Sequence, residues 1–198
     1  MVSLTENEAK TIEFLVRNFS KDYNINQLAK ELNLSPGGMF KILKKLRNRN
    51  LLLEKELGNN KFYKINFSFS DALDACKFAL IEKKTNPYLN VWIKDLNILK
   101  ERTCLAIIFG SILEKGKNAG DIDLLLVFDK RNIDEIENII EKLNKIKSKK
   151  IHTVYQTKED LISNIKKRDK AILEEIKKGI ILWGRDVLVE AIKNEQDQ

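Results

Sequence analysis

The sequence predicts an α/β (α+β) protein of two domains, and three observations predict it. Residues 5–49 carry apolar side chains at helical spacing, broken into three segments by polar, cap-forming residues. Residues 51–67 read as two short strands around Gly58-Asn59-Asn60. From Cys104 onward, unbroken apolar runs alternate with amphipathic stretches, Ile133–Ile146 among them, which is the pattern of a small mixed sheet flanked by helices. The expected boundaries are 1–67, a connecting helical pair over 68–100, a second domain over 101–192 and a frayed polar tail over 193–198.

The first helix runs from Thr5 to Phe19, with Ala9, Ile12, Leu15, Val16 and Phe19 inward; Thr5 and Glu8 form a capping box. Ile25, Leu28, Ala29 and Leu32 mark a second, short helix capped by Asn24 or Asn26. Ser35 caps the third, Pro36 suits its first position, and Met39, Ile42, Leu43 and Leu46 face inward. The hairpin follows directly. This order of helix, helix, helix and hairpin resembles the winged helix-turn-helix family of DNA-binding domains over residues 1–67.

That resemblance makes the third helix a recognition helix, with Ser35, Gly37, Gly38 and Lys41 toward base edges. Lys44, Lys45, Arg47 and Arg49, with Lys55, Lys61 and Lys64 of the wing, would meet phosphates. Gly37-Gly38 would let the backbone approach closely. Charge distribution agrees: residues 1–67 hold 12 Lys/Arg against 7 Asp/Glu, a balance of +5, and the remainder adds only +2. The competing reading is a winged helix used only for dimerisation or protein contact.

Composition sets limits. A chain of 198 residues, 43% hydrophobic and 33% charged, is globular and not disordered. Cys76 and Cys104 form neither a metal pattern nor a disulfide framework and read as buried free thiols of a cytoplasmic protein. The opening MVSLTENEAK lacks the features of a signal peptide, and no apolar run approaches the roughly 20 residues of a membrane span. In the connecting pair, Ser70 or Asp71 caps one helix, Asn86-Pro87 ends it, and Trp92 lies on the apolar face of the next.

The chemistry lies between two strands. Cys104–Phe109 ends in Gly110-Ser111, and after nine intervening residues Asp121-Ile122-Asp123 opens a second apolar strand. Carboxylates two apart on a strand share a face and repel unless a cation neutralises them. Oxygen ligands of this kind suit Mg²⁺. A Gly-Ser turn after a strand offers backbone N–H groups and a hydroxyl to an anion. Together they meet the minimum for phosphoryl or nucleotidyl transfer.

The spacing of Gly110-Ser111 and Asp121-x-Asp123 resembles the nucleotidyltransferase superfamily that includes DNA polymerase beta, most closely its minimal archaeal and bacterial members, antitoxins among them. The resemblance covers about residues 90–192 and includes the tail Lys178-Gly-Ile-Ile-Leu-Trp-Gly-Arg185. It implies that Gly110 and Ser111 hold the triphosphate of an NTP, with ATP expected. It implies also that Asp121 and Asp123 ligate Mg²⁺, one ion or two. The family's third carboxylate falls on His152, the one histidine of the chain. An imidazole ligates a metal or accepts a proton near pH 7, but supplies no negative charge; filling space is the alternative role. The usual residues after Gly-Ser are replaced by Ile112–Gly116. The expected activity is transfer of a nucleoside monophosphate to a hydroxyl, coupled to DNA binding. The alternative is a DNA-binding regulator whose second domain only binds nucleotide or a protein partner, as an antitoxin does. A homodimer is compatible with either.

Overall fold

The computed structural model describes residues 3–81 and 87–196. The chain forms two compact units, Met1–Ile81 and Glu82–Glu195. The stretch expected to connect the domains is therefore shared between them. Its first helix belongs with the first unit and its second with the other. The helix break expected at Asn86 lies outside the described residues.

The first unit is a winged helix. Helices α1 (Glu6–Arg17), α2 (Ile25–Glu31) and α3 (Pro36–Asn48) begin at Thr5, Asn24 and Ser35, each accepting a backbone N–H three residues on. Thr5 and Asn24 are both members of reciprocal capping boxes, with Glu8 and Gln27. Ile12, Leu15, Leu28, Met39, Leu43 and Leu46 are buried together, whereas Ile42 is only half-buried. Of the wing strands, expected at 51–53 and 62–67, the first is longer and the second begins two residues earlier and ends at Ile65. They are β2 (Leu52–Leu57) and β3 (Asn60–Ile65), joined by Gly58-Asn59 with Gly58 at φ +58°. A further strand, β1 (Tyr23–Asn24), pairs antiparallel with β3. Helix α4 (Ser70–Ala79) packs on α1. Its cap position is Phe69, not Ser70 or Asp71, and it carries no side-chain cap.

The second unit holds a four-stranded sheet in the order β6-β5-β4-β7. Strands β4 (Leu105–Phe109) and β5 (Asp121–Val127) are antiparallel, and β6 (Lys150–Gln156) runs parallel to β5. Strand β7 (Ile180–Trp183) pairs antiparallel with β4. A parallel pair needs a crossover, and α7 (Ile133–Ile146) supplies it within the limits its periodicity gives. Ala106, Ile108, Ile122, Leu124 and Leu126 form one core with Leu89, Trp92 and Leu96 of α5 (Pro87–Leu96) and Ile136 and Ile140 of α7. Alternation turns Leu105, Ile107, Leu125 and Val127, all buried, to the opposite face. The strands read as unbroken apolar runs because both faces are covered.

Helix α6 (Ser111–Lys115) follows β4; α8 (Lys158–Lys166) and α9 (Lys170–Lys178) divide at Arg168, which has φ +53°. Of the tail expected to fray over 193–198, residues 193–196 belong to α10 (Arg185–Gln196), and 197–198 lie outside the described residues. Cys76 is buried, which pushes its thiol up to about 12; Cys104 is only half-buried, against expectation, because it precedes the strand and lines an open cavity. Among the described residues, no helix is long and apolar enough to cross a membrane.

Candidate functional site

Gly110 ends β4 with φ +74° and ψ −156°, a conformation reserved in practice for glycine. A Cβ there would overlap the carboxylate of Asp123. The turn and the second aspartate are thus one steric unit: the missing side chain of Gly110 is the space that Asp123 occupies. Ser111 opens the five-residue α6, half-buried, and its hydroxyl makes no hydrogen bond among the described residues.

Strand β5 begins at Asp121, so Asp121 and Asp123 share a face, as expected. Parallel pairing sets His152 beside Asp123. Its Nδ1 lies 3.4 Å from Oδ2 of Asp121 and 4.0 Å from Oδ1 of Asp123. One ligand atom from each residue falls within 4.8 Å of the others. Two carboxylate oxygens and an imidazole nitrogen in that compass fit a single divalent cation after small side-chain rotations. Burial raises the Asp123 carboxyl above its ordinary value; Asp121 raises it further and His152 opposes both.

Sequence reasoning missed Glu175, which reads as one more solvated helical acid. On α9 it is half-buried, and its Oε2 is buried without a hydrogen-bond partner. Burial first, then the charges of Asp169 and Asp123, push this carboxyl up to about 7. Lys149 donates to the carbonyl of Ala119, fastening the loop before Asp121 to the start of β6.

Residues 93–187 match the family model described as Polymerase beta, Nucleotidyltransferase. This region is a nucleotidyltransferase-type domain. The match spans the Gly110-Ser111 turn, both aspartates, His152 and the Gly-apolar-Gly-Arg run that closes the sheet. None of the curated proteins matches the sequence. Among solved structures, Lactococcus lactis ZitR in complex with DNA is 20% identical, covering 50% of this chain and 75% of that one, with a TM-score of 0.35. MepR, a transcription regulator of the Staphylococcus aureus multidrug efflux pump MepA, is 10% identical, covering 73% of this chain and 82% of that one, with a TM-score of 0.36.

In the first unit, the residues singled out for DNA fall into two groups. Ser35 spends its hydroxyl on capping α3 through Gly38, whereas Gly37 is exposed with open space around it. Lys41 and Lys44 are exposed and make no ion pair among the described residues. Lys45, Arg47 and Lys61 are already engaged. Lys45 Nζ lies 2.7 Å from Oε1 of buried Glu8, which also attracts Arg49. Arg47 and Lys61 each reach Glu54 at 2.8 Å, and the Tyr63 hydroxyl donates to it at 3.1 Å. Lys45, Arg47 and Lys61, expected to meet phosphates, are thus each paired with a carboxylate of their own unit. Between α3 and the wing lies a groove of about 240 Å³ lined by Phe40, Lys44, Arg47, Glu54, Lys61 and Tyr63. Phe40, half exposed on α3, was not legible as a surface residue because an aromatic in a helix reads as core.

A larger cavity of about 650 Å³ opens at the other end of the sheet, between Thr103-Cys104, Phe128–Lys130 and Thr157–Asp160. It is remote from the aspartates, because β5 carries Asp121 at one end and Phe128 beyond the other.

Proposed function

We propose that the protein is a nucleotidyltransferase dependent on a divalent cation, Mg²⁺ by family expectation. It moves a nucleoside monophosphate from an NTP, with ATP expected, to a hydroxyl acceptor, and its winged helix holds it on DNA. The observation that carries this reading is the convergence of Asp121, Asp123 and His152 beside the Gly110 turn. A bound cation would neutralise phosphate charge as it develops. The chain's residues do the rest. Asp121 and Asp123 would hold the cation, Gly110 and Ser111 would orient the phosphates through backbone N–H groups and a free hydroxyl, and the covered strands keep that geometry rigid.

Incubation with α-labelled ATP, Mg²⁺ and a panel of hydroxyl acceptors tests it. Label transfer, lost in Asp121→Ala/Asp123→Ala, is the expected result. Nucleotide binding with neither transfer nor pyrophosphate release across the panel would overturn it. That outcome would favour a second reading, a DNA-binding regulator whose second domain binds nucleotide or a protein partner. The imidazole of His152, where the family resemblance places a third carboxylate, favours that reading.

DNA binding through the first unit rests on its exposed Lys41 and Lys44 on the outer side of α3. Affinity for duplex DNA should fall with salt.

A further inference from the structure

We infer that His152 changes which cation the site selects: the pocket of Asp121, Asp123 and His152 is built for one late first-row divalent ion, of the Co²⁺ and Zn²⁺ class, in preference to Mg²⁺. The inference rests on the reading that these aspartates hold a cation, and it adds the identity of that cation.

Three observations carry it. The register of the parallel pair sets His152 next to Asp123, and residues in register share a face of the sheet. The imidazole also turns its Nδ1 toward both carboxylates, with Asp121 nearer. A histidine that merely filled space had the solvent open to it, since its side chain is 63% exposed. Finally, among the described residues the cluster contains no third carboxylate.

The chemistry then follows from the donor set. Mg²⁺ is hard, gives up water reluctantly and is drawn by carboxylate charge. Two carboxylates offer it less charge than three, and nitrogen is a poor substitute for oxygen. Imidazole instead suits the later ions, whose affinity for mixed nitrogen and oxygen sites rises toward the end of the series. With one nitrogen and two oxygen ligands from the protein, the remaining positions stay open to water or to phosphate oxygens. That leaves one ion seated, with no protein charge remaining for a second.

Calorimetric titration of the full-length protein with CoCl₂ and separately with MgCl₂, without nucleotide, tests this, and the visible absorption of Co²⁺ reports nitrogen ligation. Asp121→Ala/Asp123→Ala supplies the background for cobalt bound elsewhere. The expected result is one Co²⁺ bound more tightly than Mg²⁺. His152→Ala should then lose on the order of ten- to a hundredfold in Co²⁺ affinity and shift the spectrum, with Mg²⁺ affinity little changed. His152→Asp should move preference back toward Mg²⁺. The side chain is exposed, so neither substitution disturbs the core. Co²⁺ affinity and spectrum unchanged in His152→Ala would overturn the inference, and so would equal losses for both ions. Absence of nucleotidyl transfer with every ion would defeat the proposed activity and leave this cation preference standing. Binding unaltered by the double aspartate substitution would remove the cation site itself.

Discussion

Glu8 and Glu54 of the first unit and Asp123 and Glu175 of the second are treated in opposite ways. In the first unit, Glu8 and Glu54 are withdrawn from solvent and answered by cations. Burial pushes Glu8 up, but hydrogen bonds from Lys45 and the Thr5 backbone outweigh it and hold the carboxyl low. Lys61 does the same for Glu54, with Tyr63 and Arg47 adding to it against burial. In the second unit, Asp123 and Glu175 are raised, by burial and by other acids. In the first unit Glu8 ties α1 to the end of α3, and Glu54 ties α3 to the wing. At Asp123 of the second unit, His152 only partly offsets burial and the charge of Asp121, a cost that a bound metal ion would remove. Unpaired acids in one place and paired acids in another separate a binding site from a structural ion network more clearly than composition does.

Gly110→Ala should disturb this contrast most. The substitution asks an L-residue to hold φ +74° and drives a methyl into Asp123. Strain of about 1–3 kcal/mol is expected. Cation affinity, measured by calorimetry, should fall steeply although no ligand has been changed. Near-normal binding would separate the turn from the metal site.

A pair of isosteric amides tests the contrast by sign. Glu54→Gln leaves Arg47 and Lys61 facing a neutral group; both are partly solvated, so a loss of about 1–2 kcal/mol is expected in denaturant unfolding of the first unit. Asp123→Asn removes a repelling charge and should stabilise the second unit while losing the cation. Destabilisation by both would mean that Asp123 is structurally paired after all.

Among the basic residues of α3, Lys41→Ala/Lys44→Ala should weaken DNA binding and lower the salt slope by about 2, roughly one for each lost phosphate contact. Lys45→Ala, which uncouples Glu8, should instead lower thermal stability. A larger DNA defect from Lys45 than from the other two would show that the ion pair opens on binding.

The smallest effect concerns pH. Glu8 and Glu54, lowered from 4.5, contribute stability that is present above that pH and lost as pH falls through their depressed values. Glu175 acts the other way. Folded, it keeps its proton up to about 7 while the unfolded chain ionises from 4.5, so the second unit loses stability as pH rises across that window. Glu175→Gln should flatten this slope, raising the melting temperature above pH 7 by about 2–4 °C after allowance for solvent at a half-exposed group. A slope unchanged in that variant would assign it to other groups.

Much of this was readable from residues in order. Thr5 with Glu8, Ser35 with Pro36 and the periodicity of 133–146 gave helix starts and extents because caps and apolar spacing are local signals. Gly110-Ser111 and Asp121-x-Asp123 were legible because each closes or opens an apolar run. The unread features are long-range. Strand β1 has only two residues and no period of its own. The pairing of Lys45, Arg47 and Lys61 depends on Glu8 and Glu54, acids distant along the chain or across a hairpin. Glu175 gains its character from packing against the sheet, which its helix neighbours do not reveal.

The placement of the two cysteines has a practical consequence. Cys76 lies in the first unit and Cys104 in the second, each the sole thiol of its unit. The native protein therefore carries a separate chemical clock in each half. As denaturant rises, the order in which the two sulfurs become available to a thiol reagent, read by mass spectrometry, gives the order in which the halves open, without an introduced label.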